Sequence, residues 1–546
     1  MIERAASGKS SSRRPSWRSC YWSAVVVIFG WAAWQRFALP LDPIADPDTW
    51  GYLAPALRKL VGAEFGHTYG RNFVYPAFVF SLLRVFGDFR AIVIVQHLLG
   101  LAAGALFVIT WQRARVFVPD SRLRPPFYDG LGLLAATVFL LAGESIRFEM
   151  QLRPEGVSAF LAGLNLYLAV QFMACAFVEK RPWPAVGAGI GIAFTSVLLA
   201  SAKPSFAMAG AVALVPVGIF FFNRGGFRQK IVLAGGATLS AALLLLPEHF
   251  LSRSDEVSRT FLPATLFVNH ADIIRDQMAD DLQRGAATPY SPEWLGRVHE
   301  RLSAEIAKSH AAFPGLFPSL GYDPNYLMYD QSSIAAQLRQ AFENDVPALC
   351  GFYWFQYGRI WRERPFAVVE KIRKQMALFY SQMCPAYNRD RFLHLASGYE
   401  QGTRVLRLPP YPELWQAYAP AVEFVRRTEA LGRNAPILRQ PAPLRIALSF
   451  LAGVYRPMLL GTIVISVAFL FRRVYRRRLG WLAGLVAFVY FYNAASCLEV
   501  AIVNSLEVRR YLTVQMFITL LAQLFTLWFL CEIALENRVR SADPLK

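Results

Sequence analysis

Leu41-Asp42-Pro43-Ile44-Ala45-Asp46-Pro47-Asp48-Thr49-Trp50-Gly51-Tyr52-Leu53-Ala54-Pro55-Ala56 follows directly on the first hydrophobic segment of the chain. Three carboxylates, Asp42, Asp46 and Asp48, fall within seven residues there. Pro43 and Pro47 kink the stretch, and an aromatic-rich amphipathic run begins at Thr49. Carboxylates beside a bilayer are costly to desolvate, so keeping them there points to chemistry on a membrane substrate. Either Asp46 or Asp48 also suits the N-cap of the helix that starts near Thr49.

The flanking sequence is apolar. Of 546 residues, 55% are hydrophobic and only 17% charged, with a mean hydropathy of +0.31, which is too little charge for a soluble protein of this size. The net charge of +19 does not point to nucleic acid, because the basic residues form short clusters between apolar segments, as membrane topology requires. Such clusters occur at Arg4 to Arg18, Arg113 to Arg124, Lys180 and Arg181, Arg224 to Lys230, Arg472 to Arg478, and Arg538 and Arg540. Their alternation predicts cytoplasmic termini and an even number of spans. At about 20 apolar residues per span, ten are expected: 20–37, 90–111, 129–143, 154–178, 185–202, 206–222, 231–247, 446–470, 480–498 and 511–534. The first lacks a small-residue cleavage site and is expected to be a retained signal anchor.

The expected fold is therefore an all-α polytopic membrane protein in four parts. A disordered cytoplasmic tail, 1–19, precedes a seven-span module, 20–247, whose outward loop is 38–89. An extracytoplasmic, mainly helical region follows at 248–445, and three further spans with a short cytoplasmic tail close the chain at 446–546. In the outward loop, Thr49–Val61 and Phe73–Phe86 have helical apolar spacing but are too short to span, so they are expected to lie along the interface. In the external region the spacing predicts helices from Pro292 toward Ala312, from Gln331 to Glu343 and from Phe366 to Tyr380. Cys350 and Cys384 both fall in this region and are candidates for a disulfide in an oxidising compartment.

An ordered set of motifs adds to this. Asp48-Thr49-Trp50-Gly51-Tyr52-Leu53-Ala54 is followed by Gly70-Arg71-Asn72-Phe73-Val74-Tyr75-Pro76, Phe86-Gly87 and Gln96-His97-Leu98-Leu99-Gly100. Further on come Arg153-Pro154-Glu155-Gly156, Ala202-Lys203-Pro204 and Glu507-Val508-Arg509-Arg510-Tyr511. This set resembles the integral-membrane GT-C glycosyltransferases, in particular the bacterial branch related to protein O-mannosyltransferases and lipid A aminoarabinose transferases. It covers roughly the first 250 residues and the last span. The acidic motif is Asp-Pro-Asp where that family more commonly has Asp-Glu, which leaves Asp46 and Asp48 both open as the catalytic position. The resemblance implies a polyprenyl-phosphate-linked sugar as donor, a lipid, glycan or protein as acceptor, and a multi-pass protein of the bacterial inner membrane with its site facing the periplasm.

Such a transfer needs a base for the acceptor proton and cations for the leaving phosphate. Asp48 is the first candidate for the base, beside Tyr52 on one helix face, with Asp46 second and Asp42 third. Arg71, Lys203, Arg509 and Arg510 are the candidate phosphate ligands, since guanidinium forks match phosphate oxygens; snorkelling to headgroups is their structural alternative. Tyr52, Tyr75 and Glu155 are candidates for positioning substrate, with Glu155 also able to pair with Arg153. Asn269 and His270, at the start of the external region, are candidates for lining an acceptor cleft. Asp46 and Asp48 could bracket a divalent cation, but no His or further carboxylate stands at ligand spacing, so neither metal nor other cofactor is expected. A lipid or glycan transporter or flippase, or a non-catalytic envelope assembly protein, remains the alternative. A transporter would more often show paired halves and charge near mid-membrane.

Overall fold

A computed structural model describes residues 17–66, 70–253, 255–312, 314–408, 413 and 416–542. Most of the expected N-terminal tail lies outside the described residues. The chain is almost entirely helical, and eight helices are long and apolar enough to cross a membrane. They are Arg90–Phe117, Glu155–Val178, Pro182–Ala202, Pro204–Phe222, Phe227–Leu251, Ala442–Ala468, Tyr475–Val503 and Arg509–Arg538. A ninth is the pair α5 (Pro125–Leu141) and α6 (Gly143–Met150), if the 47° bend between them lies within one span. The expected first span corresponds to α1 (Trp17–Phe37), which has 21 residues but is not among the eight. Trp22, Val26, Val27, Trp31 and Trp34 lie exposed on it, while Arg36 is buried.

The membrane body is built on α4 (Arg90–Ala114), α7 (Glu155–Met173) and α8 (Pro182–Ala202), with α9 (Ala207–Phe222) and α10 (Phe227–Arg253) packed against α8. Its core is aliphatic and aromatic, with Trp111, Phe107, Phe172 and Trp528 fully enclosed. Of the buried polar clusters in this body, one joins three helices near the acidic loop. Arg36 donates to both carboxylate oxygens of Glu149, at 2.7 and 2.8 Å, and to Leu140 O at 2.8 Å. His97 Nδ1 lies 2.8 Å from Glu149 Oε2. The cluster ties α1 to α4 and α6.

Between α1 and α4 the two short helices form as the spacing predicts: α2 spans Trp50–Leu60 and α3 spans Val74–Phe86. Gly87 ends α3 in the left-handed conformation, the usual use of glycine at a helix C-terminus. The region that follows α10 forms a helical domain with its own core, including Phe267, Ile274, Leu302, Leu327, Phe352 and Ile360. It comprises α11 (Glu256–Asn269), α12 (Ala271–Arg284), α13 (Pro292–Ala312), α14 (Pro324–Tyr329), α15 (Ile334–Ala341), α16 (Val346–Glu363) and α17 (Pro365–Phe379). The expected Gln331–Glu343 helix is shorter because Ser333 caps it, accepting from Ala336 N. Beyond α17, strands β1 (Phe392–His394) and β2 (Ile437–Arg439) form an antiparallel ribbon with Phe392 opposite Arg439. Between the strands lie helices Leu395–Leu406 and Ala419–Asn434.

Two sequence expectations are corrected. All six cysteines are free thiols, so Cys350 and Cys384 are not bridged. Cys384 is enclosed, with its backbone N–H bonded to Ala452 O, whereas the Cys350 thiol contacts Arg259 O. Asp42 points away from the other two acids. Its carboxylate accepts from Arg427 Nε at 2.7 Å and lies 3.5 Å from Arg90, and its carbonyl accepts from Tyr399 Oη at 2.6 Å. It is a clamp between the loop that follows α1 and the helices after β1.

Removing one partner of a buried ion pair strands the other, at a cost of about 3–5 kcal/mol. Arg36→Ala is therefore expected to lower the unfolding midpoint in detergent sharply, whereas a double Arg36→Met, Glu149→Met variant recovers most of the loss. Equal midpoints for Arg36→Ala and the unaltered protein would show that the pair carries no stability.

Candidate functional site

The acidic loop is held in place by backbone before any side chain acts. Ile44 N donates to Met150 O at 2.8 Å, and Leu152 N donates to Ile44 O at 3.0 Å, forming an isolated parallel bridge between Ile44 and Gln151. Gln96, fully buried on α4, fixes the same segment from behind. Its Nε2 donates to Glu149 O and Gln151 O at 2.8 and 2.9 Å, and its Oε1 accepts from Tyr75 Oη at 2.8 Å. On the other side, Gly402 lets the backbone of helix Leu395–Leu406 approach the loop, for a Cβ there would lie 2.7 Å from Ala45 O.

The two prime acids then divide their work. Asp46 caps the turn Pro47–Thr49: its Oδ1 accepts from Asp48 N at 2.8 Å, and its own N–H donates to Thr49 Oγ1 at 2.9 Å. Its Oδ2 pairs with Arg153 Nε. The Asp48 carboxylate takes no part in the cap, and three arginines from distant segments meet it. Arg71 lies 2.8 Å from Oδ1, while Arg153 and Arg510 lie 3.0 and 2.6 Å from Oδ2.

Lys203 and Glu155 extend the cluster. They pair at 2.8 Å, and Glu155 Oε1 is 3.9 Å from Arg510 Nε, a buried donor that makes no hydrogen bond. The partner of Glu155 is thus Lys203, and Arg153 is taken up by the aspartates. Aromatic rings fill the gaps between the charges. Arg71 lies over Tyr52, Lys203 and Arg510 lie over Tyr511, and Tyr52 meets Tyr75 edge to face. Burial pushes the Tyr52 phenol well up, so it remains a neutral donor. Burial and the neighbouring Arg510 push the Arg153 guanidinium down to about 9, which still leaves it charged near neutral pH.

The helical domain α11 to α17 completes the site. Gly70, at φ +80, leaves no room for a Cβ against Phe261 of α11, and its N–H donates to Ser258 Oγ at 2.8 Å. This fixes the entry to Arg71. The loop before Arg510 is held by α17: Lys371 Nζ donates to Ala501 O at 2.8 Å, and Gln375 Oε1 accepts from Leu506 N at 2.6 Å. Tyr329, at the end of α14, is within electrostatic reach of Arg71, Asp48 and Arg510.

Of the residues singled out in the sequence, Asp46, Asp48, Tyr52, Arg71, Tyr75, Glu155, Lys203 and Arg510 come together. Arg509 does not. It turns to Asp390, 2.6 Å away on an exposed face. Asn269 and His270 are also elsewhere, buried at the α11–α12 junction, where they bond to Thr265 O and Leu266 O. Arg153, Gln96 and Tyr511 also belong to the cluster; from sequence Arg153 was expected only as a partner of Glu155, and Gln96 and Tyr511 stood within motifs without a role of their own. The clue for Arg153 was its place beside Pro154-Glu155; for Gln96 the motif Gln96-His97-Leu98-Leu99-Gly100 marked the position but not its partners, two backbone carbonyls and the Tyr75 hydroxyl. Among the described residues, no group of three or more His, Cys, Asp or Glu side chains could hold a metal ion. No protein-family model, curated protein or solved structure matches this chain.

Burial, together with nearby Lys371, pushes the His270 imidazole down to about 3, so the folded protein holds it neutral. An unfolded chain takes up that proton below about 6.5, so stability is complete above that pH and lost as pH falls toward 3. The slope for one proton is about 1.4 kcal/mol per pH unit. Thermal melts of the unaltered protein and His270→Asn, compared between pH 6.5 and 4, are expected to differ in slope by up to this amount. Parallel slopes would mean that His270 is protonated in the folded state.

Proposed function

We propose that this protein is a membrane glycosyltransferase that moves a sugar from a polyprenyl-phosphate donor to a lipid, glycan or protein hydroxyl at the extracytoplasmic face. One observation carries the reading. Asp48, a carboxylate free of capping duty, sits among Arg71, Arg153 and Arg510, with Lys203 next to them. Four cations face the three carboxylates Asp46, Asp48 and Glu155, so the cluster favours an anionic ligand. A phosphate bears the multiple oxygens that such forked donors bind.

In this reading the acceptor hydroxyl gives its proton to Asp48 as its oxygen attacks the anomeric carbon. The bond from that carbon to the phosphate oxygen breaks, and the phosphate leaves with the electron pair. Arg71, Arg510 and Lys203 meet the charge that grows on the leaving oxygen. The buried Arg510 Nε is a donor suited to that moment. Tyr52 and Tyr75 would supply apolar faces and a neutral hydroxyl for the sugar, and direct attack from the opposite side would invert the anomeric centre. Arg153 and Asp46 hold Asp48 in place. No cofactor or metal is invoked.

The orientation follows from the distribution of charge. The far ends of the same helices carry Arg113 paired with Glu179, and Arg122 and Arg478 paired with Glu536. Arginine-rich short loops at that end favour the cytoplasm, which supports a site on the periplasmic side of a bacterial inner membrane.

The purified protein, offered a panel of polyprenyl-phosphate sugars, is expected to turn over at least one of them. Asp48→Asn should lower that rate by roughly 10²–10⁴-fold, and Arg510→Gln should lower kcat more than it raises KM. Asp390→Asn, on the exposed face, should leave turnover unchanged. Full turnover in Asp48→Asn would remove the assigned base and with it the mechanism.

A further inference from the structure

A second group of cations lies outside the Asp48 cluster, where the β1–β2 ribbon meets the start of a membrane helix. Arg391, Arg439 and Arg445 border a recess of about 260 Å³ together with Phe392, Gln440 and the helix start at Ala442. No carboxylate lines it. Asp390, the nearest acid in sequence, is turned away to Arg509. None of the three arginines forms an ion pair among the described residues, although most exposed arginines of the neighbouring helices do: Arg404 with Glu400, Arg426 with Glu423 and Arg433 with Glu429.

The recess is a built feature of the fold. Phe392 is the platform, with the guanidinium carbons of Arg391 and Arg439 lying 4.9 and 5.9 Å from its ring centre. Gln440 is 4% exposed and fully engaged: its N–H donates to Arg391 O, its Nε2 to Asp390 O, and its Oε1 accepts from Gly143 N. This knot fixes the ribbon against the α5–α6 bend. Arg445 Nε is buried and has no hydrogen-bond partner. The first peptide N–H groups of helix Ala442–Leu470 add the positive end of the helix dipole.

What lies beside the recess indicates the ligand. Helix Ala442–Ala468 is one of the eight long apolar helices, and only 17% of its apolar window is buried by protein. Ile446 and Phe450, 70% and 66% exposed, follow Arg445 along it. Guanidinium groups directly next to open apolar side chains match a phosphate above its acyl chains. In the orientation proposed above, on which this point rests, arginines at this end of a span also run against the usual charge bias, so topology does not explain them.

We propose that this recess binds the phosphate ester of an acidic membrane lipid, with Arg391, Arg439 and Arg445 on its oxygens and the lipid chains along Ile446 and Phe450. The site is separate from the Asp48 cluster, and turnover is not its readout.

The full-length protein, extracted from mixed phosphatidylglycerol and phosphatidylcholine vesicles, would be examined by native mass spectrometry for retained lipid. Phosphatidylglycerol is expected to be retained in preference, with affinity falling roughly fivefold per arginine removed in Arg391→Gln, Arg439→Gln and the triple variant with Arg445→Gln. The exposed single variants keep the test open if the triple variant does not assemble. Removing the same charge as Arg404→Gln, Arg426→Gln and Arg433→Gln should leave retention unchanged. Equal retention by the recess variants and the unaltered protein would overturn the site. An equal loss in the control would overturn it in favour of diffuse charge, and displacement by soluble glycerol phosphate at matched concentration would overturn the lipid as its source.

Discussion

A partly buried carboxylate is held most firmly where cations meet it, and Asp48 is met by three that come from separate parts of the chain. Arg71 enters from the loop between α2 and α3, Arg153 from the turn between α6 and α7, and Arg510 from the start of the last long helix. Their convergence sets the relation of the first loop to the rest of the molecule. Net stability from such an arrangement is modest, because desolvation offsets much of the attraction. Its effect is geometric: each guanidinium is held in place by a second contact, so the donors are aligned ahead of any chemistry.

The supports of this cluster are mostly backbone. Ile44 bonds to Met150 and Leu152, Gln96 bonds to the carbonyls of Glu149 and Gln151, and Gln375 receives Leu506 N. Side chains that satisfy backbone in this way leave the loops little freedom, which compensates for placing the site on loops. The buried Arg36–Glu149 pair lies one turn below and fixes α6 to α1 and α4, so the turn carrying Arg153 rests on a braced base.

Much of the fold was legible in the sequence because apolar length and helical spacing are local signals. α2 and α3 match their expected bounds almost residue for residue, and so does α17. α1 was less legible: its tryptophans raise its apolar area, while Arg18 and Arg36 hold down its hydropathy. Within the site, residue type and outer placement were enough to single out Asp48, Arg71, Lys203 and Arg510. Pairing was not legible. That Glu155 belongs to Lys203, that Asp42 belongs to Arg427 and that Arg509 turns outward are outcomes of tertiary register. Asn269 and His270 were misleading for the same reason, since polar residues at a helix junction look alike whether they face a cleft or bond to their own backbone.

The near contact between Gly402 and Ala45 also sets a tolerance. Here one hydrogen atom, in place of a methyl group, is all that separates a peripheral helix from the peptide that leads into Asp46. Backbone pressed against backbone has no rotamer to yield, so a single added carbon would be transmitted along the strand as displacement and would shift the acids relative to their arginines. A helix that contributes no side chain to the Asp48 cluster is thereby subject to the same dimensional limits as the cluster itself.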